Sequence, residues 1–213
     1  MIVYTAIAGG KDELRPLPLG KDEGVRYVAF VDRAVKSDFW EVLPMDDYYH
    51  HPNHRRRSRY FKMHPHILFP DEEVVIWLDG STFPLISIEQ IIAQTKDYSL
   101  SARKHPIRSC LYDEGPEVIR FGMAHRKEVF AQLHRYADEG FPPGYGLREN
   151  RILVFKNTQE SRDFMEAWWH EYMREDSCVR DQLCQMYVSW KKNFKIGELP
   201  LEVVGAQRHN HGR

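Results

Sequence analysis

The sequence predicts an α/β fold: a mostly parallel sheet with helices on both faces. Three observations carry this. The runs IVYTAI, VRYVAFV and EEVVIWL are continuously apolar and β-branched, the pattern of parallel strands buried on both sides. Segments with apolar residues at helical spacing alternate with them, as a layered α/β domain requires. The 213 residues suffice for one such unit with a sizeable core and are too few for two, so a single domain over residues 1–213 is expected.

Taken in order, IVYTAIAGG is a buried strand ended by a Gly pair, and the polar stretch from Lys11 to Gly24, broken by Gly and Pro, is loop. VRYVAFVD is a second strand and WEVLPM a short third. A His- and Arg-rich segment, DDYYHHPNHRRRSR, leads into RYFKMHPHILF, read as a helix interrupted near Pro65. EEVVIWLDGS is the clearest central strand, rich in β-branched and aromatic residues. SIEQIIAQT follows as a short helix with Ser87 as its N-cap. DYSLSARKH reads as a strand, and the segment SARKHPIRSCLYDEG runs into a loop. FGMAHRKEVFAQLHRYADEG is a helix that stops at Gly140. RILVFKN is a strand, ESRDFMEAWWHEYMRED a helix, and a last helix opens near Ser177 and runs through VRDQLCQMYVSWKKN. The tail GAQRHNHGR is short, polar and basic.

Composition narrows the function classes. Thirty Lys and Arg against 31 Asp and Glu give a net charge of −1, so no global field recruits nucleic acid or an anionic membrane. No run is long enough to span a bilayer, and the N-terminal MIVYTAIAGGKDE reads as a strand, not a leader. Three cysteines, odd in number and without paired metal spacing, fit a reducing compartment, so a cytoplasmic location is expected. The chain has no GxGxxG, GxxxxGK[ST], GxSxG or HExxH, which argues against a Rossmann dehydrogenase, P-loop enzyme, lipase or zincin.

In open α/β sheets, ligands bind beyond the carboxyl ends of the strands. Asp32 and Asp79 each end an apolar run and are expected at that crevice. Asp79, followed by Gly80 and Ser81, could present its carboxylate to a Mg²⁺ or Mn²⁺ that neutralises a diphosphate, or could cap its own turn. In the basic run from Arg55 to Lys62, helical spacing puts Arg59, Lys62 and His66 on one side, a stripe suited to phosphate, although most of the run is expected to be a solvated face. Asp181 and Gln182 lie in the late helix, where surface decoration is the default reading. His105, Arg108, Asp113 and Glu114 crowd the loop after DYSLSARKH. His209 and His211 alternate in the tail, a spacing that can ligate a metal, although such tails most often bind nothing.

One ordered set of motifs then stands out: VYTAIAGG, VAFVD, WEVLP, RSRYFKMHPHILFP, IWLDGS, KHPIRSCLYDE, EGFP, GLRENRILVF, WWHEY and VRDQL. Each is weak, but in this order they resemble the TOD/MUCI-type glycosyltransferase-like domain family from residue 3 to about residue 190. The resemblance implies a GT-A-like fold, distantly similar to the glycogenin-like group, with a nucleotide-sugar donor over the first strands. The implied activity is transfer of the sugar to a glycan or other hydroxyl acceptor, as in polysaccharide biosynthesis. By the same resemblance, Asp79 stands where an acid-any-acid motif begins, and Asp181 and Gln182 correspond to a late Asp-Gln pair near the transferred sugar. Lys62 and His66 match basic positions before the central strand; His105, Arg108 and Glu114 match a central loop.

One departure matters. The second acid of that motif would sit at position 81, which is Ser81. Either Mn²⁺ or Mg²⁺ is held by Asp79, the donor diphosphate and the tail histidines His209 and His211, or Arg and Lys do the work without a metal. The departure also leaves open a non-catalytic nucleotide- or sugar-binding module that kept the fold.

Overall fold

The computed structural model describes residues 1–95 and 97–206. Its frame is a seven-stranded sheet in the order β3-β2-β1-β4-β7-β6-β8. The strands are β1 (Ile2–Ile7), β2 (Arg26–Val31), β3 (Glu41–Pro44), β4 (Val74–Leu78), β6 (Leu100–Lys104), β7 (Arg148–Lys156) and β8 (Gly197–Leu199). Parallel ladders join β1 to β2 and β4, β2 to β3, and β6 to β8, while β7 runs antiparallel to both β4 and β6. The sheet is therefore mostly parallel, as expected, with β7 the reversed strand. A small second sheet pairs β5 (Thr82–Pro84) with β9 (Val204–Ala206); neither strand, nor β8, was legible in the sequence.

Each face of the sheet carries its own core. Alternation along β1 sends Ile2, Tyr4 and Ala6 into one cluster and Val3 into the other. The first cluster lies under α1 (His54–Met63), α4 (Leu111–Arg120), α5 (Arg126–Asp138), α6 (Gln159–Tyr172) and α7 (Gln182–Lys191). The second is thinner and is closed by α3 (Ile88–Ala93), Leu17, Trp40 and the chain around Val203. Tyr4 clamps β1 to α1 by donating its hydroxyl to the Phe61 carbonyl at 2.9 Å.

Several local expectations hold and several need correction. The interruption at Pro65 is real: α1 ends at Met63 and a single turn, α2 (Pro65–Leu68), follows. However, α1 opens at His54, where the Asn53 side chain accepts from the amides of Arg55 and Arg56, so the arginine run is helical. Ser87 caps α3 in a reciprocal box with Gln90. The segment read as loop beyond His105 contains α4. Pro116 lies inside that helix, but Leu111, Gly115 and Val118 bury a face there, and Gly115 approaches Leu133 and Val129 of α5 so closely that no Cβ fits. Packing thus overrides the Pro signal. Gly122, at φ 64°, breaks the chain between α4 and α5, so α5 begins at Arg126 and not at Phe121. The last helix opens at Gln182, five residues beyond Ser177.

Candidate functional site

The carboxyl ends of β1, β4 and β6, joined by the start of the reversed β7, open into one cleft of about 570 Å³. Its lining runs from Ala8 and Lys11 after β1, through Arg55, Arg59 and Lys62 on α1, to Asp79 after β4 and Asp181 before α7. Asp79 leaves β4 with its amide still donating to the Arg151 carbonyl at 2.8 Å, so strand pairing with β7 fixes it at the cleft edge. The chain then turns, with the Thr82 amide returning to the Asp79 carbonyl at 2.8 Å. Gly80 is needed here for close approach: a Cβ would sit 3.0 Å from both Asp12 and Ile7.

The core of the site is a chain of buried charges. Lys62 is 1% exposed. Its ammonium lies 2.9 Å from Asp79 Oδ1 and 3.1 Å from Asp181 Oδ2, and donates to the Asn150 carbonyl at 2.8 Å. An ammonium has three protons, and these three acceptors match them. Arg59 Nε donates to the other Asp181 oxygen at 2.9 Å, and Trp77 Nε1 donates to Asp79 Oδ1 at 2.9 Å. The Asp79 side chain keeps 27% of its surface exposed, whereas Asp181 is buried. Burial alone would raise the Asp181 carboxyl, but the charges of Arg59, Lys62 and Arg180 outweigh it and hold the group well below the usual carboxylate range. Asp181 precedes the first turn of α7 and makes no side-chain cap there, its oxygens being committed to α1.

The facing wall carries the other sequence candidates. Arg108 donates to buried Glu114, and His105 Nε2 lies 3.8 Å from the same carboxylate. Burial, joined by the Arg108 charge, lowers the His105 pKa despite Glu114. Gln182 donates to the Arg148 carbonyl at 2.8 Å, tying α7 to β7. Glu149 is held by Arg103 at 2.8 Å and Arg151 at 2.9 Å.

The fold thus gathers Lys62, Arg59, Asp79, His105, Arg108, Glu114, Asp181 and Gln182 around one cleft. His66 is elsewhere: α1 ends before it, and its Nε2 meets Glu166 of α6 at 2.8 Å. Asp32 lies behind the lining, accepting from the Gly9 amide with His54 Nδ1 at 3.6 Å. Gly9, at φ 68°, has room for no Cβ beside the His54 ring, so Asp32 secures a loop-to-helix contact. His209 and His211 lie outside the described residues. Lys11 and Asn150 were missed. Asn150 is 5% exposed, lines the cleft and has neither side-chain amide atom hydrogen-bonded. A lone Asn at the head of a strand carries no motif, which is why the sequence did not flag it.

A divalent cation fits this donor set poorly. Among the described residues no three His, Cys, Asp or Glu side chains gather to hold a metal. Asp79 already shares one oxygen with the Lys62 ammonium and Trp77, and Ser81 offers no second carboxylate. Nor do the cysteines supply one: Cys110, Cys178 and Cys184 are free and buried, and burial raises the Cys178 thiol to about 11. No helix among the described residues is long and apolar enough to cross a membrane.

Solved structures similar to this architecture include two apo forms. The WbbM bifunctional glycosyltransferase in its apo structure superposes with a TM-score of 0.51 at 13% identity, covering 94% of this chain and 38% of that one. Mouse xyloside xylosyltransferase 1 in its apo form gives a TM-score of 0.54 at 10% identity, covering 93% and 83%. At such identities the likeness is one of fold, which is GT-A-like. The chain spans well under half of the WbbM protein. A search of curated proteins finds no match. The sequence profile of the TOD1/MUCI70, glycosyltransferase-like domain matches residues 21–202, from the loop before β2 through β8, and so takes in most of the cleft. The chain belongs to the TOD1/MUCI70 glycosyltransferase-like domain family.

Proposed function

We propose that this protein transfers a sugar from a nucleotide-diphosphate donor to a hydroxyl of a glycan or similar acceptor. The observation that carries the reading is the Asp79–Lys62–Asp181–Arg59 chain, which locks the end of the central strand, α1 and the start of α7 into one charged floor. A strand-end acid, a helix of cations and a buried amide facing one cleft suit a ligand that is anionic at one end and rich in hydroxyls at the other.

In the step itself, the bond between the sugar's anomeric carbon and the diphosphate oxygen breaks, and its electron pair leaves with the diphosphate. The acceptor oxygen forms the new bond to that carbon, and the hydroxyl proton passes to a base or to water. Asp181 does not suit the base role, because a carboxylate paired at both oxygens and held well below its ordinary pKa is too weak a proton acceptor to take the hydroxyl proton. Its role is to position Lys62 and Arg59. Lys62, with all three protons committed, in turn fixes Asp79 toward the donor.

The same burial favours a second reading, in which the fold binds donor but turns nothing over. Measuring nucleoside diphosphate release from a panel of nucleotide sugars, with and without sugar acceptors, separates the two. Turnover that falls about a hundredfold in Asp181→Asn supports the enzyme. Donor binding without release under every acceptor condition leaves the binding module.

A further inference from the structure

Resting on the donor reading above, the geometry points to a diphosphate cradle formed by Lys11, Arg55 and Arg180 that works without a divalent cation. Three features lead there. First, most cleft carboxylates are already paired with protein cations, Asp79 with Lys62, Asp181 with Arg59 and Lys62, Glu114 with Arg108, Glu117 with Arg120, and Glu149 with Arg103 and Arg151. Even with Asp12 in the lining, the described residues gather no three acid, His or Cys side chains to hold a metal. Second, Lys62 has no proton left for a phosphate, so it cannot be the group that meets the leaving diphosphate.

Third, positive charge is left over in the same cleft. Among the described residues Lys11, Arg55 and Arg180 form no close ion pair, although Asp12 beside Lys11 offsets part of that lysine's charge. Arg55 spends one guanidinium nitrogen on the Met123 carbonyl, and the Nε of Arg180 is buried without an acceptor. Burial first, then the neighbouring Arg55, Arg59 and Arg180, lower the Lys11 pKa; burial, Arg180 and Arg59 do the same to Arg55. Like charges gathered at a half-buried site destabilise the empty protein, and an anion with several oxygens removes that penalty through charge-assisted, fork-shaped hydrogen bonds. The buried, unpartnered Asn150 amide in the same lining is an independent sign that this cleft takes a polar ligand.

The test is calorimetry on the full chain, titrating inorganic pyrophosphate and, separately, UDP, GDP, ADP and CDP, first with a chelator and then with Mn²⁺. The expected result is binding of pyrophosphate and at least one nucleoside diphosphate that Mn²⁺ leaves unchanged. Lys11→Met with Arg180→Gln should weaken that binding about tenfold or more. Lys11→Met alone should leave the melting temperature of the unliganded protein equal or higher, which a purely structural role would not do. Binding that appears only with Mn²⁺ overturns the cradle and leaves the donor reading standing. Absence of diphosphate binding in both conditions overturns both.

Discussion

Lys62 shows how far single residues decide the site. It is a buried cation shared by two acids from distant parts of the chain, and removing one member of such a cluster leaves opposite charges buried and uncompensated. Lys62→Met should therefore lower unfolding free energy by about 3–5 kcal/mol in urea titrations, far more than a surface Lys change. A loss near zero would mean the ammonium is solvated and not shared. The acids at positions 79 and 181 were visible in the sequence as a strand-end carboxylate and a weak Asp-Gln pair. Their meeting was not visible, because residues 62, 79 and 181 come together only when the helix order is fixed. Lys11 and Asn150 gave no signal at all: one sits in a loop of mixed charge, the other in an ordinary strand.

At the scale of elements, α1 is the part on which the site depends most. It carries Arg55, Arg59 and Lys62 toward the cleft, and its first turn is held by Asn53. Asn53→Ala should cost about 1 kcal/mol of stability and should also weaken diphosphate binding, since fraying the first turn displaces Arg55. Chemical denaturation and calorimetry on the same variant check both, and an unchanged affinity would detach the cap from the site. The principal strands of the large sheet and the cap of α3 were legible because their periodicity and capping residues agree with their burial. The helix α4 was not, since Pro116 and Gly115 signal a turn while contacts with α5 impose a helix. The short strands β5, β8 and β9 were illegible for a different reason: three residues are too few to show alternation.

Across the whole molecule, charge is balanced in sum but segregated in place, and this sets a pH dependence. His64 and His105 are kept neutral mainly by burial, so their pKa values lie below the ordinary value of about 6.5. The unfolded chain then binds more protons as pH falls below about 6.5, and stability drops. Asp181 has a depressed pKa, so its contribution is complete above the ordinary Asp value of about 3.9 and is lost on further acidification. Melting curves from neutral to acid pH should show these two losses in turn, with the second reduced in Asp181→Asn. The overall fold class was readable from the sequence because alternating strands and helices leave few ways to bury both sheet faces. The reversal of β7, which brings Asn150 and Arg151 to the cleft, is a matter of strand pairing that no local pattern reveals.

The central claim is that the cleft beside Asp79, at the end of the central strand, takes the diphosphate of a nucleotide-sugar donor on its cations. A thermal-shift titration of nucleoside diphosphates against the wild type and the Lys11→Met, Arg180→Gln double variant tests it most directly. A ligand that binds only the folded state stabilises it by about 2.7 kcal/mol at a hundred times its Kd, so one base should raise the wild-type melting temperature with concentration and lose most of that effect in the variant. An equal response from both proteins, or none from either, would contradict the account.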